Sequence, residues 1–365
     1  MKVGYFAPLP PAPTGVADYA ETLFHALRRR GNVEIDARDA GVALYHVGNN
    51  HLHRAIYERA IQRPGVAVLH DAVLQHFFLG LLDEFHYTGE FVYNYGEWMR
   101  GFAGDLWRNR ARSAADTRYF EYPMLKRIAT VSEAVIVHNP AAARAVRRHA
   151  PEARVIEIPH LFVPPRDFPA LIDTLRFRAE LGIHPRTLLV GVFGHLRESK
   201  RVAALLRAMA RVWAAGADAR LLIAGAFASS DLERALASQL ADPRILRRDY
   251  LPEREFWRYA AAVDVCANLR FPTAGETSGI AVRMMGIGKP VIFTAGEELA
   301  RIPADACLRV DAGPAEEEML AETILWLARD RDAAVEIGRR AGMHIAAGHD
   351  LEKVAAQYWE ILNKS

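Results

Sequence analysis

The sequence predicts an α/β protein made of two doubly wound units that face a common central cleft. Three observations carry this. Short, almost wholly apolar runs alternate with stretches of helical periodicity, the pattern of parallel sheets covered on both faces. The alternation starts afresh after a Pro-containing stretch at residues 159–169. In each half a glycine-containing turn, at Gly15 and at Gly194, follows a predicted strand. Open α/β sheets bind ligands outside the carboxyl ends of their strands, so the two turns are expected to line one crevice.

In the first half, residues 2–7 form an apolar strand, 8–15 a Pro-rich turn, and 16–30 a helix closed by Gly31. Apolar runs at 42–47, 66–70, 134–138 and 154–158 are further strands, with helical stretches between them. In the second half, strands are expected at 188–193, 221–224, 263–268 and 291–293. Helices are expected at 202–214, 256–262, 280–286, 320–329 and 332–346. The domain boundary falls between residues 160 and 185. We find no internal repeat or low-complexity segment.

The 365 residues suffice for two domains of ordinary size, and 51% apolar with 25% charged residues is the mix of a soluble globular chain. A net charge of +2 implies no strong field toward nucleic acid. The two cysteines, Cys266 and Cys307, stand in apolar settings, which argues against a disulfide framework and fits a reducing cytoplasm. The opening residues MKVGYFAPLP read as strand and turn rather than a signal peptide. No uncharged apolar run is long enough for a spanning helix.

Two segments carry chemistry. NLRFPTAGETSGIAVRMMGIGKPVIF, residues 268–293, reads as strand end, turn, helix and strand, with Gly275, Glu276, Thr277, Ser278 and Gly279 where the helix begins. Free backbone N–H groups at a helix start favour an anion, and Thr277 or Ser278 can cap the helix or touch a ligand. An ordinary N-cap is the alternative. VGVFGHLRESKRVAALLRAM, residues 190–209, places His195, Arg197, Lys200 and Arg201 around a turn at Gly194. Basic side chains at a helix start oppose its dipole, a conflict a bound phosphate would remove. A solvated basic turn is the alternative there, weakened because both turns face the same crevice.

These residues resemble a family 4 glycosyltransferase with the two-domain, Rossmann-like GT-B fold, over nearly the whole chain and most strongly in 188–293. The family pattern G-R-L-x-x-x-K-G, whose Arg and Lys bind the donor diphosphate, is matched at Gly194 and Lys200. His195 stands in the Arg position and Arg201 in the final Gly position. Gly288 and Pro290 match the end of the family's second signature, E-G-F-G-x-x-x-x-E-A-M-A-x-G-x-P. Glu276 matches its first Glu displaced by one position, and Arg283 stands where the ribose-binding second Glu falls. An arginine cannot accept hydroxyl hydrogens. The resemblance implies a retaining, metal-independent hexosyltransferase without cofactor, using a nucleotide diphosphate sugar as co-substrate.

It implies further assignments. Gly15 belongs to a glycine-rich first loop at the donor, and the turns at Gly225 and Tyr250 lie where the base is read. His70, at a strand end, matches a catalytic-site histidine. Together with Glu276 and Lys200 it forms the expected catalytic set. Asp18, Asn49, His53 and Asp71 are expected on the acceptor side. Many histidines invite a metal site, but no ligand spacing recurs. The domains implied are 1–165 on the acceptor side, 185–345 on the nucleotide-sugar side, and a helix in 346–365 that crosses back to the first domain.

Residues 77–120 are an aromatic helical insertion in the first domain, rich in Phe, Tyr and Trp. Core packing is the favoured reading. Stacking on a sugar, or peripheral contact at the inner face of a membrane, stays open. The expected acceptor is a saccharide or lipid-linked saccharide in glycan or glycoconjugate biosynthesis. A nucleotide-sugar epimerase and a non-catalytic nucleotide-sugar-binding pseudoenzyme remain the alternatives.

Overall fold

The computed structural model describes residues 1–364. The first sheet contains β1 (Lys2–Phe6), β2 (Asn32–Ile35), β3 (Val42–Val47), β4 (Val66–Leu69), β5 (Ala134–Val137) and β6 (Val155–Glu157). The second contains β7 (Leu188–Phe193), β8 (Ala219–Ala224), β9 (Ile245–Arg248), β10 (Val265–Asn268), β11 (Val291–Thr294) and β12 (Leu308–Val310). Spatial order is β2-β1-β3-β4-β5-β6 in one and β12-β11-β10-β7-β8-β9 in the other. All pairings are parallel.

The order reverses between β1 and β3 in the first sheet and between β7 and β10 in the second. Those switch points open the crevices into which the turns at Gly15 and Gly194 project. Every residue of β3, β4, β5 and β7 is buried, because helices cover both faces.

Three strands not expected from the sequence, β2, β9 and β12, are all sheet edges. β2 buries one of its four residues. An edge strand half open to water carries no apolar run for a sequence reading to find. Helix Leu171–Glu180, also unexpected, sets Phe177 edge-to-face against Tyr259 with ring centroids 4.9 Å apart. The chain therefore joins the second domain before residue 185.

The insertion between β4 and β5 is helical, including Gln75–Leu81, Glu84–Tyr95 and Arg100–Arg108. Phe77, Phe78, Tyr87 and Phe91 belong to the first-domain core. Phe85 and Trp98 stand out in solvent at 77% and 82% exposure.

Helix Leu351–Leu362 packs Val354, Ala355, Tyr358, Ile361 and Leu362 into the core under the other face of the first sheet. The Tyr358 and Tyr19 hydroxyls bond at 2.9 Å in the interior. Gly31 makes room for this helix, since a Cβ there would lie 2.3 Å from the Trp359 ring. The two crossings between the domains run side by side, with Phe162 N–H donating to His349 O at 2.7 Å.

Tyr358→Phe loses one buried hydroxyl pair and should cost about 1 kcal/mol. Tyr358→Ala also leaves a ring-sized cavity and should cost about 3–5 kcal/mol. Urea unfolding of both variants checks the ratio; equal losses would mean that the helix is not docked through this side chain.

Candidate functional site

The second domain supplies a pocket wall made almost entirely of backbone and one amine. β7 ends at Phe193, and Gly194 turns the chain at φ 84°. Gly225 at the end of β8 has φ 149°, and a Cβ there would lie 2.1 Å from Gly194 O. The two turns are in contact because neither carries a side chain. The chain then forms a short turn, Glu198–Lys200, that folds Lys200 back inside. Its Nζ donates to Phe193 O at 2.5 Å. The same Nζ lies 3.0 Å from where a Gly194 Cβ would be, and Ile280 Cγ1 lies 3.7 Å from that point. The amine thus sits beside the first turn of helix Gly279–Gly286, capped by Ser278 Oγ, which accepts from Ala281 N–H at 3.3 Å. Among the described residues no carboxylate pairs with Lys200. Burial first, then the neighbouring Arg270 and Arg197, lower its amine to about 7.

Glu276 stands in the turn before that helix. One oxygen pairs with Arg270, and the other accepts from Ala274 N–H at 2.9 Å. Burial pulls its carboxyl upward, but Arg270, backbone N–H groups and Arg197 more than offset that, so it is held below its usual value. Arg270 also donates to Ser278 Oγ at 3.2 Å, tying acid and helix cap together.

The first domain closes the other side. Ala72 N–H donates to Ala274 O at 2.8 Å. Asn139 Nδ2 donates to Gly275 O at 2.9 Å and to Thr277 Oγ1 at 3.0 Å. Next to Ala72, Asp71 accepts from Asn49 N–H at 2.8 Å. Burial and the facing Glu276 push Asp71 up to about 6. His70 directly follows β4, and its Nε2 pairs with His46 Nδ1 at 2.9 Å. Behind it lies a layer of imidazoles and phenols. Tyr19 has ring centroids 5.0 Å from His70, 5.3 Å from His138 and 4.7 Å from His160.

Residues 185–330 match the family model described as glycosyl transferases group 1. The chain as a whole is similar in structure to HepE of Anabaena, solved in complex with UDP and glucose, at TM-score 0.72 and 16% identity over 100% of both chains. Sucrose-phosphate synthase of Thermosynechococcus elongatus gives 0.72 at 18% identity, over 100% of this chain and 98% of the other. WaaG, a glycosyltransferase involved in lipopolysaccharide biosynthesis, gives 0.65 at 16% identity over 100% of both. No curated protein matches the chain in sequence. The fold is GT-B: two Rossmann-like domains with a cleft between them.

Within this GT-B cleft the structure brings Gly194, Lys200, Glu276, Thr277, Ser278 and Gly279 together, with His70 and Asp71 opposite. Gly15 and Asp18 are exposed at the start of helix Gly15–Arg28. Asp18 is held above its usual value by partial burial and Glu253, with Arg283 opposing, which sets it across from those two residues of the second domain. His195 is exposed beside Gly194, and Tyr250 is 80% exposed past β9.

Three expectations are corrected. Arg201 does not reach for an anion, since its guanidinium is taken up by the buried Glu316. His53 is fully buried and donates from Nδ1 to His46 O at 2.9 Å, so it shapes the wall without touching the cleft. Asn49 is spent locally, its Oδ1 accepting from Phe77 N–H at 2.8 Å. Sequence reading missed Arg270 and Asn139. A base at the end of β10 six residues before Glu276 could have signalled the first. An Asn-Pro helix start at a strand end could have signalled the second.

The histidine layer is neutral in the folded state. Burial lowers His53, His138 and His349 to about 4 and His160 to about 3, and holds His46 and His70 well below their usual values. Unfolded, these rings titrate near 6.5. Stability from the layer is therefore complete above pH 6.5 and falls as pH drops toward 4, because only the unfolded chain takes up the protons. Each ring contributes up to about 1.4 kcal/mol per pH unit in that window; carboxyls that burial raises in the folded state, such as Asp71 and Glu90, oppose. Denaturant titrations at pH 7.5, 6 and 5 should show a progressive drop, and a flat profile would mean that the layer is hydrated.

Proposed function

We propose that the chain is a family 4 retaining glycosyltransferase that moves a sugar from a nucleoside diphosphate sugar to an acceptor hydroxyl without a metal. The observation that carries it is Lys200, a buried amine without a carboxylate partner, set at Gly194 beside the helix start at Gly279. Negative charge grows on the diphosphate as the glycosidic bond breaks. A fixed ammonium and free N–H groups aimed at that charge are the usual largest source of rate. The metal-independent reading rests on these groups supplying the positive charge themselves.

Glu276, held by Arg270, keeps lone pairs for sugar hydroxyls. His70 and Asp71 stand on the acceptor side. In the retaining course that the family resemblance implies, the acceptor oxygen attacks from the face the diphosphate leaves, and the leaving phosphate takes the acceptor's proton. Gly225 and the exposed Tyr250 lie where a nucleobase would rest, and the UDP complex of HepE makes uridine diphosphate the first donor head to try. The acceptor we propose is a saccharide or a lipid-linked saccharide in glycan synthesis. Exposed Phe85 and Trp98 on the first domain suit peripheral contact with a lipid acceptor's membrane at the cytoplasmic face.

Lys200→Ala should lower kcat/KM for transfer about 100- to 1,000-fold with an unchanged fold. Transfer from a panel of sugar nucleotides, read by release of the nucleoside diphosphate, checks this; an undiminished rate would sink the assignment. In the wild type, uridine diphosphate should drive proton uptake at pH 8, since the anion restores the charge of an amine lowered to about 7. Calorimetry in two buffers of different ionisation enthalpy reads the uptake directly. Its absence would remove Lys200 from the diphosphate.

A further inference from the structure

The hydrogen bonds in the histidine layer fix its tautomers. His53 Nδ1 and His138 Nδ1 each lie 2.9 Å from a backbone carbonyl, those of His46 and Ile158. A carbonyl only accepts, so both rings carry their proton on Nδ1, and their buried Nε2 atoms are bare lone pairs without partners. His46 repeats the arrangement. Its Nδ1 is engaged, by His70 Nε2 at 2.9 Å, and its buried Nε2 has no partner. A proton on His46 Nε2 would be an orphaned buried N–H, which folded proteins almost never tolerate, whereas an unmet acceptor is borne more often. The proton therefore sits on His46 Nδ1 and is donated to His70 Nε2. A neutral ring accepting at Nε2 must hold its own proton on Nδ1.

We infer that His46 is a positioning residue that fixes His70 in the Nδ1–H tautomer, so that His70 meets a ligand oxygen as a hydrogen-bond donor rather than as a base. The inference rests on the proposed placing of His70 beside the substrate. The first domain thereby offers a sugar hydroxyl or phosphate oxygen one directed donor. Removing the acceptor's proton is left to another group. His46 touches no ligand; it acts through the ring it orients, as partners of metal-bound imidazoles do.

The test is the nitrogen-15 spectrum of histidine-labelled full-length protein at pH 7.5, with His70→Asn used to assign the signal. His70 should carry its proton on Nδ1; a proton on Nε2 overturns the inference. Kinetics give the second arm. His46→Leu has no donor and should lower kcat about 10- to 100-fold with little change in KM. His46→Gln, whose amide can donate to the same nitrogen, should recover most of that loss. Equal rates in the two variants would reject the role. If His46→Leu does not fold, the wild-type spectrum decides alone. The spectrum needs no substrate, so a failure to transfer any sugar would fall on the proposed function and leave the tautomer standing.

Discussion

The site depends on one contact between backbones. Ala72 N–H in the first domain donates to Ala274 O in the second, and Asn139 holds Gly275 O and Thr277 Oγ1 beside it. Gly275 has φ 69°, and a Cβ there would lie 2.9 Å from the Ala72 Cβ. Any side chain at 275 would pry the domains apart at the floor of the cleft. Glu276 is the next residue; its carboxylate is held by Arg270 and Ala274 N–H of its own domain, and the contact decides how the first domain meets it. Neither half of the chain completes the site by itself, and a small relative rotation would shift His70 and Asp71 against Glu276 and Lys200.

Around that contact burial unsettles the charges. Arg270, Arg197 and Lys200 face Glu276, Asp71 and Glu298; the amine is lowered to about 7, and Asp71 is pushed up to about 6. Moving the Lys200 amine from 10.5 to about 7 corresponds to about 5 kcal/mol of lost preference for its charged form. A unit negative charge about 4 Å away at an effective dielectric of 20 is worth about 4 kcal/mol. One phosphate group near Nζ is therefore of the right size to undo what burial does. On the proposed function an arriving diphosphate therefore decides the protonation of the pocket, rather than meeting a charge already settled.

The central strands and the glycine-bounded turns at the cleft were legible in the sequence because their physics is local. An apolar run such as LLVGVF or a Gly-bounded turn before a helix declares itself without knowledge of its neighbours. What escaped was set by partners distant in sequence. Edge strands β2, β9 and β12 lack the pattern because one side meets water. Arg201 looked like a free cation until Glu316, 115 residues later, met it. His53 looked like a cleft residue until the carbonyl of His46 accepted its Nδ1–H. Arg283, out of place among ribose-binding carboxylates, lies over the Phe256 ring at 4.0 Å and pairs with Glu253 at 2.5 Å. Its place is explained by packing that spacing alone does not reveal.

The imidazole layer looks costly by itself. Each bare nitrogen at His46, His53 and His138 gives up a hydrogen bond to water, about 1 kcal/mol or more apiece. The layer nonetheless runs to the helix that faces Lys200. His349 Nδ1 donates to His160 O at 2.6 Å, and a Cβ on Gly279 would lie 3.5 Å from His160 Nε2. Charged groups there would add repulsion to a pocket already rich in cations, and aliphatic groups could not direct a proton toward His70. Neutral imidazoles with fixed Nδ1 protons satisfy both constraints. The stability they forgo yields one oriented donor on the first domain and leaves the positive charge to the second.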